Sequence, residues 1–324
     1  MSLLRPLRIG SVRLPNNLVL SPMAGYSDLP FRILCRRHGA GLVCTEMVAA
    51  DSANRGGAKT LARMRTVEEE RPVSIQIFGT REEEVAAAAR RAADGCEILG
   101  FNMGCPAHQI KAAGCGAAML DRPDVALAMV RAVKAAAPDR PLLVKIRAGN
   151  DRPIDVGRFA QSLEAAGVDG IIFHARTARQ GYSGRSDWAL IARLKDTVGI
   201  PVIGNGDVVD GPSAARALAE SGCDGLALGR ATLGDPRVFA RIAAHLDGHP
   251  ATPSRPDERL DDLRSYLDLA REHGVPRSQI LAQVQRFTKG LPGAARLRDR
   301  LRCGDEPTRL LADVERHVRE LAVV

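Results

Sequence analysis

Short runs of β-forming residues recur along the chain, each followed by a stretch with helical character, and the alternation repeats eight times before residue 245. The runs are Leu18–Met23, Leu42–Met47, Val73–Phe78, Glu97–Met103, Leu142–Arg147, Gly170–Ala175, Pro201–Gly204 and Gly225–Leu228. Between them lie Glu82–Ala93, Val125–Ala136, Val156–Ala166, Ala189–Val198 and Ser213–Glu220, which are amphipathic or rich in alanine. Strands that alternate with helices form βα units around a parallel sheet. Several of the runs are apolar on both faces, as strands are when helices cover one side and a packed interior fills the other. Eight such units predict an α/β fold of the (β/α)8 TIM-barrel type over residues 1–246.

Beyond that point the texture changes. Residues 247–256, Asp247 to Pro256, are rich in turn formers and break the periodicity, so they read as a linker. Residues 257–324 keep helical spacing without strand runs, which predicts a small helical domain after the barrel. The polar stretch Asp51–Thr66 and the long gap after Met103 read as extended βα loops.

Apolar residues make up 45% of the 324, enough for a large core, while aromatics at 3% leave that core to Leu, Val, Ile and Ala. The net charge of +8 suits a polyanionic partner, although charge says nothing about fold. Seven scattered cysteines with no CxxC pair argue against a disulfide framework and against a closed metal site. A grouping of Cys105, His108 and Cys115 has irregular ligand spacing, and no metal is expected. The N-terminal segment is interrupted by Arg5, Arg8 and Arg13, and no apolar run is long enough to span a bilayer. The expectation is a cytoplasmic protein with reduced thiols and no membrane partner.

In a barrel of this kind functional groups gather at the C-terminal ends of the strands. Here those ends read Ser21-Pro22-Met23-Ala24-Gly25-Tyr26-Ser27-Asp28, Gln76-Ile77-Phe78-Gly79, Asn102-Met103-Gly104-Cys105-Pro106, Lys145-Ile146-Arg147, His174-Ala175-Arg176-Thr177, Asn205-Gly206-Asp207 and Gly229-Arg230. Polar and special residues at all of these ends are hard to explain as packing. Gly204-Asn205-Gly206 and Gly229-Arg230 would let backbone N–H groups approach a phosphate, or else mark tight turns. Lys145 would hold an anionic ring, serve as a base, or form a structural salt bridge. Cys105, in a turn shaped by Pro106, places a thiol at the mouth. A thiol with a pKa near 8.5 is mostly protonated at neutral pH and able to give up a proton.

Five segments taken together carry a family likeness: Ser21–Arg32, Asn102–Pro106, Gly114–Leu120, His174–Thr177 and Asn205–Asp207. In order and in register across residues 8–245, they resemble the tRNA-dihydrouridine synthases, with the bacterial B-type branch nearest from Arg8–Asn17 onward. The resemblance implies tightly held FMN, NADPH as reductant, and tRNA as substrate, with no obligatory protein partner. It implies that Pro22, Met23 and Ala24 pack beside the isoalloxazine and that Gln76 and Lys145 bond its polar edge. His174, Asn205, Gly206, Asp207, Gly229 and Arg230 would hold the ribityl chain and phosphate. Cys105 would be the general acid, and Asn102 would help to place the uracil, with Arg147 and Arg176 on the substrate side.

A polyanionic substrate needs cations around the mouth. Arg55, Lys59, Arg63 and Arg65 on one loop, and Arg147, Arg176, Arg179 and Arg185 on others, would form such a ring. In the tail, Arg286, Lys289, Arg296, Arg298, Arg300 and Arg302 face a lone Asp299, as a phosphate-binding surface requires. The tail is thus expected to bind tRNA, and its removal to weaken that binding while sparing flavin. Just there the chain departs from the B-type pattern. It reads Leu281-Ala282-Gln283-Val284-Gln285 where the branch carries an Arg…Lys-His cluster, and Arg286-Phe287 where an aromatic pair is common. The departure bears on how tRNA docks and so on which uridine is modified. Two other readings share part of these observations: a small-molecule FMN reductase of dihydroorotate- or enoate-type, and a non-catalytic tRNA-binding or folding protein. The basic tail and the Gly-Cys-Pro turn weigh against the first, and the full set of cofactor contacts against the second.

Overall fold

A computed structural model of the chain describes residues 2–289 together with Asp299, Ala312 and Arg316. A short antiparallel hairpin, β1 (Leu7–Ile9) and β2 (Val12–Leu14), precedes the barrel. The barrel strands are β3 (Leu18–Leu20), β4 (Leu42–Cys44), β6 (Val73–Phe78), β7 (Ile98–Met103), β8 (Leu142–Arg147), β9 (Gly170–His174), β10 (Val202–Asn205) and β11 (Gly225–Leu228). The two-residue strand β5 (Val48–Ala49) extends the pairing at the end of β6. Every neighbouring pair around the barrel is parallel, β11 pairs with β3, and β4 pairs with β6, so the sheet closes on itself. The eight sequence-predicted runs are these eight strands.

Strand alternation divides the core in two. Leu18, Leu20, Val43, Val73, Ile75, Leu99, Phe101, Val144, Phe173 and Leu226 face outward into one large cluster shared with the helices. Val19, Leu42, Cys44, Ile98, Leu143, Ile172, Ile203 and Ala227 face inward into a second cluster, which Leu7, Ile9 and Leu14 of the hairpin complete. Gly10 at the hairpin tip lies against Pro141 and Asp169, just before β8 and β9, so the hairpin plugs the N-terminal end of the barrel. Nearer the C-terminal ends of the strands stand Ser21, Gln76, Asn102, Lys145, His174 and Asn205. The interior is therefore apolar at its closed end and polar at its mouth.

The helices are α1 (Leu29–Arg37), α2 (Ala50–Arg55), α3 (Ala58–Met64), α4 (Glu82–Ala93), α5 (His108–Ala112), α6 (Pro123–Ala136), α7 (Val156–Ala165), α8 (Trp188–Lys195), α9 (Gly211–Ser221), α10 (Val238–Leu246), α11 (Pro256–Glu272) and α12 (Arg277–Phe287). In α4, Val85, Ala88, Ala89 and Ala92 repeat at helical spacing and are buried, while Glu82–Glu84 open the helix and Arg90 and Arg91 close it, matching its dipole. The stretch 51–66, expected to be loop, folds instead into α2 and α3. The gap after Met103 holds α5 and the 3-10 turn Gly116–Asp121.

The tail does not stand apart. Leu260, Leu263, Tyr266, Leu267, Leu269 and Ala270 of α11 and Val284 and Phe287 of α12 join the same large core as the outward faces of the barrel. Asp262, almost fully buried, accepts from Arg237 Nε of the barrel at 2.9 Å and pairs with His38 Nε2 at 2.9 Å.

Candidate active site

The thiol at the mouth is fixed by backbone geometry. Asn102 Oδ1 accepts from the N–H groups of Gly104 at 3.1 Å and Cys105 at 2.9 Å, which closes the turn after β7. Asn102 Nδ2 donates to Gln76 Oε1 at 2.8 Å, tying two strand ends together. On the far side, Gly116 presses on the turn with φ +59°; a Cβ there would lie 2.7 Å from Cys105 O and 3.0 Å from Cys105 Cβ. Ala117 N donates to Cys105 O at 3.0 Å. The Gly114–Leu120 segment thus acts as a buttress for Cys105, a role its sequence did not disclose. Cys105 is half-buried. Burial raises its pKa above the ordinary thiol value, and the Ala107 backbone N–H, Arg147 and Lys145 oppose that rise without reversing it. The thiol is held in its protonated form at neutral pH.

Beside it lies a cluster of cations. Lys145 Nζ donates to Asn205 Oδ1 at 3.0 Å, and Asn205 Nδ2 donates to Ala227 O at 2.7 Å and Ser21 Oγ at 3.3 Å. Burial first, and then the nearby Arg147, lower the pKa of Lys145 to about 7. His174 is held neutral, its pKa lowered to about 2 by burial and then by Lys145, Arg147, Arg176 and Arg230. Against these charges stands Asp207, at φ +57°, which accepts from Arg176 Nη2 at 2.6 Å, Ser186 N at 2.8 Å and Arg230 Nη2 at 3.4 Å. Several cations around one carboxylate leave an unmatched positive field, which favours an anionic ligand.

The cations named from sequence divide into two groups. Arg147 and Arg176 are buried, at 4% and 1% exposure, and donate to backbone carbonyls. Arg147 bonds Gly104 O, Thr177 O and Gly181 O and leaves Nη2 without a partner among the described residues. Arg176 bonds Ser183 O and Gly184 O as well as Asp207 and packs against His174, fixing the loop between β9 and α8. Arg55, Lys59, Arg179, Arg185 and Lys289 are exposed. Arg63 turns back to buried Glu46, with Nε at 3.5 Å, and Arg286 turns to Tyr26. Arg296 and Arg298 lie outside the described residues.

Packing alone already requires glycine at two positions: a Cβ on Gly204 would strike the Trp188 ring and one on Gly206 the Ser186 hydroxyl. At Gly229 the nearest atoms to an added Cβ are Met23 Sδ at 3.8 Å and Ser21 Cβ at 3.9 Å, and this strand end is open. Pro22 and Met23 are half-buried and Ala24 is exposed in the facing turn. Sequence reading missed Tyr182. It is 58% exposed, lies under the Arg230 guanidinium at 4.2 Å and stands 6.5 Å from His174. An exposed tyrosine in a chain with three was the available signal. An open groove lined by Asp151, Pro153, Thr177, Arg179, Gln180 and Ser183 flanks this side of the mouth.

Fold and site together define a (β/α)8-barrel enzyme whose mouth sets a protonated thiol beside an anion-accepting cluster. The family model for dihydrouridine synthase (Dus) matches residues 19–322, and the chain belongs to that family. It is 40% identical over 270 residues to a probable tRNA-dihydrouridine synthase of Rhodobacter capsulatus, covering 82% of this chain and 81% of that one. It is 36% identical over 300 residues to tRNA-dihydrouridine synthase B of Pseudomonas aeruginosa, covering 90% and 89%. Among solved structures, the old yellow enzyme from Trypanosoma cruzi shares the fold with a TM-score of 0.58 at 13% identity, over 82% of this chain and 98% of that one. Among the described residues no helix is long and apolar enough to cross a membrane.

Proposed function

We propose that this protein reduces uridine in tRNA to 5,6-dihydrouridine, using a bound flavin, FMN, that NADPH re-reduces, in the cytoplasm. The observation that carries the reading is the protonated Cys105 thiol, buttressed by Gly116 and Asn102, beside a cationic cluster with one carboxylate. Membership of the dihydrouridine synthase family supports the substrate and the flavin.

The residues present fit FMN: the cations around His174 outnumber their one carboxylate, Asp207, and the Gly229 strand end is open beside Met23. Pro22, Met23 and Ala24 would lie against the ring, with Gln76 and Lys145 at its polar edge. His174, Asn205, Gly206, Gly229 and Arg230 would hold the ribityl chain and phosphate. Asp207 would orient Arg230 and Arg176. When bound and reduced, the flavin supplies a hydride to C6 of uracil. Negative charge then develops toward C5 and O4. Cys105 Sγ would deliver its proton to C5. Asn102 positions uracil in the same gesture that fixes the Cys105 turn, and Arg147 offers its unpartnered Nη2. The target base leaves the tRNA stack to enter the mouth. Exposed Arg55, Lys59, Arg179 and Lys289 would meet phosphates around it, and the helical tail, residues 257–324 after a linker at 247–256, would extend that surface.

Incubation of the purified protein with NADPH and unmodified tRNA, followed by nucleoside mass spectrometry, tests this directly. Dihydrouridine should form with wild-type protein and fail to form with Cys105→Ala. A flavin-loaded protein that reduces free enones or pyrimidines but no tRNA would overturn the reading in favour of a small-molecule reductase.

A further inference from the structure

The turn that carries Met23 and Ala24 is held from the tail as well as from the barrel. Within the turn, Tyr26 N and Ser27 N donate to Met23 O, and Met23 N donates to Ser27 Oγ at 2.9 Å. The barrel adds Glu46 Oε2, accepting from Gly25 N at 3.0 Å, and Arg32 Nη1, donating to Ser27 O at 2.8 Å. Three contacts come from α11 and α12. Tyr266 OH donates to Asp28 Oδ2 at 2.8 Å, and Gln283 Nε2 donates to Tyr26 O at 2.6 Å. Arg286 Nη2 donates to Tyr26 OH at 2.6 Å while its guanidinium lies over the Tyr26 ring at 4.8 Å.

The adjoining strand end, that of β11 beside β3, is tied to the same helix. Gly234, just past the Gly229–Arg230 strand end, adopts φ +75°, and an added Cβ there would strike the Arg286 carbonyl. Arg259 of α11 donates to Gly234 O at 3.1 Å and to Arg286 O at 3.1 Å, locking that approach. Gln283 is fully buried, and among the described residues its Oε1 has no partner while Nε2 is held on Tyr26 O. A buried amide left half-satisfied costs stability, so the bond to Tyr26 O is made at the expense of the other end of the amide.

We propose that Arg286 is a positioning residue for the flavin, acting through Tyr26 on the Pro22–Asp28 turn, rather than a phosphate contact for RNA. The inference rests on the reading of that turn as the flavin-packing loop. Because α12 bears on two adjoining strand ends of the cofactor site, α12 and the cofactor are energetically linked. Any RNA contact that prefers the tail position shown here tightens flavin binding, and flavin tightens that RNA contact by the same factor.

The test uses the full-length protein, stripped of flavin and reconstituted with FMN. Wild type, Arg286→Ala, Arg286→Lys and Tyr26→Phe are compared by flavin-fluorescence titration, by flavin midpoint potential and by tRNA binding across a salt series. Arg286→Ala should weaken FMN binding roughly tenfold or more, the scale for losing a charge-assisted hydrogen bond that orders a ligand loop. Tyr26→Phe should follow it in the same direction. Arg286→Lys keeps the charge but not the fork and stack, so it should resemble Arg286→Ala in FMN affinity and leave the salt slope of tRNA binding unchanged. FMN affinity and potential unchanged in all three variants, with a tRNA salt slope shallower by about one in Arg286→Ala only, would overturn the proposal and make Arg286 a phosphate contact. A wild-type protein that takes up no flavin would refute the flavin-loop reading itself, a separate result. Thermal melts of the apo-proteins identify any variant whose loss is global, and in that case Tyr26→Phe, which removes one hydroxyl, decides.

Discussion

Replacing Gly116 with alanine should slow proton transfer from Cys105 without emptying the flavin site. Two costs follow from the geometry. Holding a non-glycine residue at φ +59° costs about 1–2 kcal/mol. The new methyl would also sit 2.7 Å from Cys105 O and 3.0 Å from Cys105 Cβ. Restoring ordinary contact at about 3.5 Å requires the Cys105 turn to yield by roughly 0.5–1 Å. A displacement of about 1 Å at a reacting group costs on the order of a hundredfold in rate. The expected outcome is a fall of roughly ten- to a hundredfold in single-turnover dihydrouridine formation by pre-reduced enzyme, with flavin content unchanged. Gly222→Ala isolates the backbone component, since Gly222 has φ +60°, caps α9 and has no atom within 4 Å of an added Cβ. It should lose similar stability, about 2–4 °C in melting temperature per kcal/mol, and keep its rate. Equal rates in the two variants at equal loss of stability would refute the buttress argument.

Three further outcomes follow from the site. Cys105→Ala should retain FMN and lose about 10²- to 10⁴-fold in turnover, measured on tRNA under NADPH; in wild type the rate should hold through neutral pH and fall only once pH exceeds the raised thiol pKa. Lys145 titrates near 7 when folded against an ordinary 10.5, so between those values the unfolded chain binds more protons and the Lys145 contribution makes apo-protein stability rise with pH. Lys145→Met should flatten that slope in denaturation series, and in wild type FMN binding above pH 7 should take up a proton, read by calorimetry in two buffers. His174, held neutral by a pKa near 2, should show no imidazole titration by NMR between pH 5 and 8.

How much of this was legible in the sequence depends on the range of the interaction concerned. The eight strands were visible because their apolar runs are local facts, and the polar residues at the ends of those runs marked the mouth. The hairpin Leu7–Leu14 was not, since three-residue strands carry too little pattern. Helices α2 and α3 hid in a polar stretch whose buried contacts are few, Ala50, Ala53 and Met64. Within the site, residue identity was legible and direction was not. Arg147 and Arg176 read as mouth cations, yet most of their donors are committed to backbone carbonyls, because the loop that wraps them is ordered only in the fold. Gly204 and Gly206 read as phosphate approaches, and only the fold shows that Trp188 and Ser186 also leave no room for a side chain at either. The contact between Arg286 and Tyr26 joins positions 260 apart, beyond any pattern in composition or spacing.

The mouth also carries a stability argument of its own. Lys145, Arg147, Arg176 and Arg230 converge on a neutral histidine with Asp207 as their counter-charge, an arrangement that disfavours the empty folded state. Burial first, and the neighbouring cations after it, lower the pKa of Lys145 and His174. An anion in the cluster reverses it, so bound FMN should stabilise the fold through its phosphate beyond what ring packing gives. Comparison of the FMN and riboflavin dissociation constants separates the two contributions. Riboflavin shares the ring and lacks the phosphate, and at equal multiples of Kd mass action gives both ligands the same shift. The phosphate contribution therefore appears in the Kd ratio, and that ratio should shrink when Arg230→Met removes the most exposed cation of the cluster. An undiminished ratio would place the phosphate elsewhere.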